Sequence, residues 1–387
     1  MQPFTEEHQM FRKTIRDFVD REINPYVEEW EAERIYPAHQ LLKKLGDIGA
    51  LGLTYPEEFG GMNADHWYTV VWGEELGRID CGGVPMSLAV HTDMATPALA
   101  QYGSDELRKQ FLEPAIKGEM LAAIAVTEPD AGSDVAGIRT RADRKGDEFV
   151  INGNKLYITN GVQADWVCVL ARTSDEGSYK GMSLIIVPTD TPGFSVSKKL
   201  SKLGNNSSDT AELSFDNVKV PATNLIGGEG MGFYMQMQQF QIERLIAVYM
   251  GVAGMENAIK KTIEYLKMRK TFGQPLINNQ FIHFKMAELI TEVEMLKQFG
   301  YHCTQKLADG EDVTREASMA KYKLGKLVRE VADWCLQFHG GIGYMEETWV
   351  SRYFRDSRLT GIGGGADEIM LGIIAKMEGI LPGRAKG

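Results

Sequence analysis

The hydrophobic period changes twice along the 387 residues, and each change rules out a uniform architecture. Over roughly the first 120 residues the apolar positions recur at helical spacing. In EEHQMFRKTIRDFVDREINPYVEEW (6–30) they are Phe11, Ile15 and Phe18, then Ile23 and Val27. Thr5, followed by Glu6 and Glu7, is a start signal for the first helix. Ser104, followed by Asp105 and Glu106, opens a second helical stretch over 104–120, and PEEFGG (56–61) reads as a loop.

From about residue 121 the pattern becomes that of strands. EFVINGNKLYITNG (148–161) holds two Asn-Gly pairs, and the first, Asn152-Gly153, lies between β-rich runs and predicts a hairpin turn. WVCVLA (166–171), MSLIIVP (182–188) and TAELSFDNVKVP (210–221) follow. In the last, Ala211, Leu213 and Phe215 alternate with polar residues, as in a half-buried strand. GGEGMGF (227–233) reads as a linker, and helical runs return over 233–268, 279–308, 314–338 and 367–379. Their wide apolar stripes are those of a mostly buried bundle. The expected domains are therefore 1–120 helical, 121–228 β and 229–387 helical.

A net charge of −11 argues against nucleic acid or an anionic membrane surface as the main partner. Cys81, Cys168, Cys303 and Cys335 are scattered, which predicts buried thiols in a reducing compartment. No apolar run reaches the roughly 18 residues of a membrane span. MQPFTEEHQMF resembles neither a signal nor a transit peptide, so a cytoplasmic (bacterial) location is expected.

Five stretches stand out: AVTEPDAGSDVAGI (125–138), NGNKLYITNG (152–161), SDTAELSFDNVKVP (208–221), RKTFGQPL (269–276) and QFHGGIGY (337–344). Gly132 and Ser133 allow a flat ligand to approach the backbone, and Thr127 and Ser133 offer hydroxyls to a polar ring edge. A plain β-entry turn would account for the same residues. Arg269, at the end of a predicted helix, reads equally as a solvated cation complementing the helix dipole.

In order and spacing the five stretches resemble the acyl-CoA dehydrogenases over nearly the whole chain. The resemblance implies a multi-domain α+β fold: an N-terminal α-helical domain, a middle β-barrel-like domain and a C-terminal four-helix bundle. It implies FAD as cofactor, acyl-CoA as substrate and an electron-transferring flavoprotein as acceptor. Ile124, Ala125, Val126, Thr127, Gly132 and Ser133 would line the flavin, with Ser133 also near the substrate. Tyr157, Ile158 and Thr159 would lie against the ring. Arg269 would reach the FAD pyrophosphate of a neighbouring subunit, where its forked donors suit phosphate oxygens, with Phe272 and Gln280 at the same contact. Gln337, Gly340 and Gly341 match the loop that closes over the cofactor from an adjacent chain, which implies a homotetramer formed as a dimer of dimers. His339 in that stretch reads as structural. Ala366, where the family often has a hydroxyl, and Glu368 fall at further cofactor positions, and Asp367 is a candidate to compensate for the lost hydroxyl.

The family reaction removes an α-proton with a glutamate while hydride leaves the β-carbon. Many members carry that glutamate in a Tyr-Glu-Gly-Thr stretch before the last helix. Here the stretch is Gly363-Gly364-Gly365-Ala366, and the usual base position, Gly364, has no titratable group. QFQIERLIAV (239–248) supplies Glu243, followed by Arg244, on the first long helix of the C-terminal region. In the isovaleryl-type and long-chain-type branches the base lies in a matching Glu-Arg pair, and the loop holds a small residue. Glu243 is therefore the expected base, ahead of Glu229, Glu256, Glu346, Glu347 and Glu368. Gln241, Arg244, Gly363, Gly364 and Gly365 are the expected substrate contacts. Gln241 stands where an acid is often found, near the pantetheine. Gly363 in place of an aromatic should open room for a 3-methyl-branched acyl chain, such as isovaleryl- or citronellyl-CoA. The alternatives are an oxygen-using oxidase or monooxygenase on the same fold, or a catalytically silent binding protein.

Overall fold

Thr5 caps the first helix (Glu6–Phe18) by a capping box with His8, and Ile15 and Phe18 are buried on its inner face. Ser104 accepts from the Leu107 amide at 3.2 Å and so caps the turn it was expected to start. The computed structural model describes residues 4–177 and 179–381. They pack as two compact units. One holds 25–68 and 83–242; the other holds the described parts of 1–24, 69–82 and 243–387. The division falls within the Gly232–Met268 helix, after Ile242.

The first unit is built on eight strands: β1 (Ala122–Ala125), β2 (Arg141–Lys145), β3 (Glu148–Thr159), β4 (Trp166–Arg172), β5 (Met182–Pro188), β6 (Phe194–Lys199), β7 (Thr210–Pro221) and β8 (Leu225–Ile226). Their order is β6-β7-β3-β2-β4-β5-β8, with β1 parallel to β4. β4 and β5 are buried on both faces, which explains their unbroken apolar runs. Val167, Val169 and Ala171 enter one core with Phe149 and Ile185, whereas Trp166, Cys168 and Leu170 enter another with Leu99, Phe111 and Leu112.

The hairpin expected at Asn152-Gly153 is not there. β3 runs straight through that pair, and the chain reverses one turn earlier, at Gly146 (φ +64°) and Asp147 between β2 and β3. Asn152-Gly153 marks instead a register shift against β7. Gly153 (φ +149°) is needed because a Cβ there would lie 2.8 Å from the Thr140 Cα. An Asn-Gly pair specifies unusual backbone, and the neighbouring Gly146 was the better turn.

In the second unit the helices Gly232–Met268 (from Glu243 on), Gln280–Ala308, Thr314–His339 and Asp367–Met377 match the helical runs of the sequence. Val248, Val252, Leu289, Leu324, Val328 and Val331 form a core shared by the first three. A further helix, Trp349–Ser357, escaped the sequence pattern because its buried face is partly polar: Arg352 Nε donates to the Asp80 carbonyl at 2.9 Å. Arg12 pairs with Glu74 at 2.6 Å and Arg16 with Glu75 at 2.7 Å, tying the first helix to this unit. All four cysteines are buried, as their scatter predicted. Among the described residues no helix is long and apolar enough to cross a membrane.

Candidate functional site

Glu243 sits on the Gly232–Met268 helix, half-buried, next to the buried Arg244. The loop before the last helix comes to it. A Cβ built on Gly364 would lie 3.5 Å from Glu243 Oε1 and 3.7 Å from Lys321 Cε. The empty loop position and the helix carboxylate therefore adjoin the same small space.

The three glycines differ in what they require. Gly364 (φ +63°) and Gly365 (φ +89°) adopt left-handed backbone, and a Cβ on Gly365 would also strike the Met370 methyl at 2.5 Å. Gly363 has no such φ, and a Cβ there would only touch Leu359 at 3.4 Å. The amides of Ile362 and Gly363 both donate to the Leu359 carbonyl at 2.8 Å. Lys321 Nζ donates to the carbonyls of Thr360 at 2.6 Å and Gly365 at 3.3 Å.

Charges crowd this corner. Arg244 Nη1 donates to Ser318 Oγ at 3.2 Å; burial lowers its pKa and Glu243 opposes that. Asp367, a candidate for cofactor contact, is buried and pairs with Arg329 Nη2 at 2.6 Å. Burial pushes the Lys321 ammonium down to about 8, against the pull of Asp367 and Glu243. Sequence reasoning missed Lys321. The signal was present: Ala317, Leu324 and Val328, at helical spacing from Lys321, are all buried, so the lysine occupies a core-facing position.

Ala366, at the N-cap of the last helix, is half-buried, and the other expected positions in this unit are on its surface. Arg269, Gln280, Gln337, Gly340, Gly341 and Glu368 are exposed. Phe272 is fully exposed at φ +50°, at the tip of a small hairpin pairing Lys270–Thr271 with Gln274–Pro275. A Cβ on Gly341 would meet nothing within 4 Å, so packing inside the chain does not demand glycine there. His339, expected to be structural, packs inside the unit: its Nδ1 lies 2.7 Å from the Cys335 carbonyl and its ring stacks on Tyr265.

In the β unit, Ala125 and Ile158 place their side chains in the sheet core, leaving only backbone for a ligand. Ile124, Val126, Thr127, Thr159 and Gln241 are half-buried, and Gly132 and Ser133 are exposed. A Cβ on Gly132 would also meet nothing within 4 Å. Tyr157 is 66% exposed and held at φ +63° where β3 shifts register against β7. Behind this wall, buried Lys155 donates to Glu128 Oε1 and to the Val126 carbonyl, each at 2.9 Å. Glu128 accepts in turn from the Arg139 amide at 2.6 Å and the Thr140 amide at 2.9 Å. An exposed aromatic, a glycine with open space and hydroxyls beside it fit a flat, polar-edged cofactor such as a flavin.

Three family descriptions match the chain: acyl-CoA dehydrogenase N-terminal domain over 5–119, middle domain over 123–218 and C-terminal domain over 230–378. The long-chain specific acyl-CoA dehydrogenase of Rattus norvegicus mitochondria is 39% identical over 375 residues, 96% of this chain and 86% of that protein. An acyl-CoA dehydrogenase of Bacillus subtilis is 38% identical over 374 residues, 96% of this chain and 98% of that protein. The crystal structure of an acyl-CoA dehydrogenase from Geobacillus kaustophilus superposes with a TM-score of 0.94 at 38% identity, covering 97% of this chain and 99% of that one.

Proposed function

The chain belongs to the acyl-CoA dehydrogenase family, and from that premise we propose that it oxidises an acyl-CoA thioester to the trans-2-enoyl-CoA with Glu243 as the base. The observation that carries this reading is the proximity of the Glu243 carboxylate to the side-chain-less Gly364. A glutamate on the helix stands beside the position that lost one in the loop.

In this reading Glu243 takes the α-proton. A free glutamate titrates near ~4.3, and a bound thioester that excludes water raises it toward a useful basicity. The Gly364 N–H donates to the thioester oxygen and so acidifies the α-carbon. Arg244 and Gln241 help to hold the CoA thioester. Family members depend on FAD, which when bound accepts the hydride from the β-carbon. Ile124 to Thr127, Gly132, Ser133 and Tyr157 to Thr159 would hold its flavin. Arg269, Phe272, Gln280, Gln337, Gly340, Gly341, Ala366 and Glu368 would hold the remainder, some of them across a subunit contact. We extend the reading to a homotetramer, an electron-transferring flavoprotein as acceptor, a cytoplasmic location and functional domains bounded at 120 and 228.

For the acyl chain, we propose a 3-methyl-branched group, because Gly363 leaves room where a larger side chain would stand. The long-chain name of the rat relative adds long straight chains to the panel that must be tried. Comparing kcat/KM for butyryl-, isovaleryl-, citronellyl- and palmitoyl-CoA tests the assignment, and a preference for either straight chain removes it. The base is tested by anaerobic bleaching of the yellow protein with an acyl-CoA. Glu243→Gln keeps the colour and stops the bleaching; undiminished bleaching in that variant overturns the mechanism.

A further inference from the structure

Lys321 lies on the buried face of the Thr314–His339 helix, 2% exposed, where a helix of this kind carries apolar residues. A buried ammonium needs acceptors. It has two, both main-chain: the carbonyls of Thr360 and Gly365, which bracket the glycine stretch. Two consecutive left-handed glycines, Gly364 and Gly365, give that stretch little conformational stiffness of its own.

We propose that Lys321 is the positioning residue for Glu243: its ammonium clamps the 360–365 loop and sets a positive charge near the Gly364 position that the carboxylate also adjoins. The proposal rests on the reading of Glu243 as the base. A Cβ on Gly364 would have Glu243 Oε1 at 3.5 Å and Lys321 Cε at 3.7 Å, so both side chains adjoin this one position. The surrounding charges are Glu243 and Arg244 on one helix, Asp367 on the last helix, and Arg329 on the helix of Lys321, paired with Asp367. Arg329 offsets part of the pull that Asp367 exerts on Lys321, and Arg244 and Lys321 both favour the ionised Glu243 carboxylate. Arg244 is its chain neighbour; Lys321 is the cation that also fixes the loop. Replacing Lys321 with an apolar residue of similar length removes both effects, so the carboxylate binds a proton more readily and the loop loosens.

The test uses the flavin-loaded enzyme, with Lys321→Met and Lys321→Arg. Two quantities are read: hydrogen–deuterium exchange of the 359–366 segment, and the pH dependence of kcat/KM for flavin bleaching by an acyl-CoA. In Lys321→Met, exchange rises at least several-fold and the acid limb of the profile moves up by about one pH unit. In Lys321→Arg the acid limb stays near its original position. Unchanged exchange in Lys321→Met overturns the clamp. Faster exchange with an unmoved acid limb makes Lys321 a merely structural residue and overturns the proposal as stated. If Lys321→Met does not yield folded yellow protein, Lys321→Gln serves the same two readings. Glu243→Gln separates the two ideas: full bleaching there removes the base and with it the charge coupling, while the exchange result still decides the clamp.

Discussion

Glu243 Oε1 lies 3.5 Å from the point where a Cβ on Gly364 would stand. A side chain grown from Gly364 would therefore head for the place the helix carboxylate now serves. We expect Glu243→Gln/Gly364→Glu to recover part of the bleaching that Glu243→Gln loses, to within roughly a hundredfold of the original rate. Recovery is incomplete because a non-glycine residue at φ +63° costs about 1–2 kcal/mol. In Gly364→Glu alone, two carboxylates share the space and one is driven to a higher pKa, which bends the pH profile. A folded yellow double variant with no recovery would show that the two positions do not serve the same chemistry.

The positive φ of Tyr157 leads to a second prediction. A tyrosine at φ +63° is strained, and its largely exposed ring gains little from burial. Tyr157→Gly should relieve the backbone and raise the melting temperature of the flavin-free protein, in line with about 1 kcal/mol. The same variant should hold FAD more weakly if the ring packs on the flavin. Flavin titration and melts of flavin-free protein separate the two effects; a lower flavin-free melting temperature would mean that the ring supports the fold itself.

Much of this was legible in the sequence, for physical reasons. The strands of the β unit are continuous where both faces are buried, as in β4, and alternating where one is, as in TAELSF. The long helices carry wide apolar stripes, so their runs could be placed within a few residues. What was hidden depended on contacts distant in the chain. Asn152-Gly153 became a bulge because Thr140 packs against it. The Trp349–Ser357 helix was masked by Arg352, a buried cation whose acceptor, Asp80, lies far off in sequence. Glu243 could be singled out because Gly364 lacks a carboxylate, yet nothing in the order of residues revealed that Lys321 would flank the same glycine.

The buried Lys155–Glu128 pair supports the segment expected to contact the flavin. Lys155 is fully buried and also holds the Val126 carbonyl, while Glu128 holds the Arg139 and Thr140 amides. Lys155→Met strands the Glu128 charge in the interior, which costs about 3–5 kcal/mol. The expected result is a clear fall in melting temperature together with faster loss of FAD on dialysis. Lys155→Met/Glu128→Gln should be less damaging than Lys155→Met alone, since it leaves no unpaired charge. Equal melting temperatures for the original protein and Lys155→Met would show that the pair adds nothing.

Two side chains in one short helical turn, Val90–Ala95, pull the acid stability of the fold in opposite directions. His91 is buried as the neutral ring: its Nδ1 accepts from the Ala122 amide and its Nε2 donates to the Ala115 carbonyl, each at 3.1 Å. Burial lowers its pKa from 6.5 to about 4. Between those values the unfolded chain binds a proton that the folded chain refuses, so this residue makes stability rise with pH. Asp93 does the opposite. Burial raises its pKa from 3.8 to about 7, with Thr92 donating to it at 2.6 Å, and the folded chain then holds a proton that the unfolded chain has lost. Its contribution is present at low pH and disappears as pH rises through about 7. Over the shared window the two slopes, each about 1.4 kcal/mol per pH unit, nearly cancel. Asp93→Asn should uncover the histidine, giving a melting temperature that climbs steeply from pH 4.5 to 6.5, whereas His91→Gln should uncover the aspartate and make it fall over the same range. Parallel pH profiles in the two variants would mean that neither group titrates inside the folded protein as its burial requires.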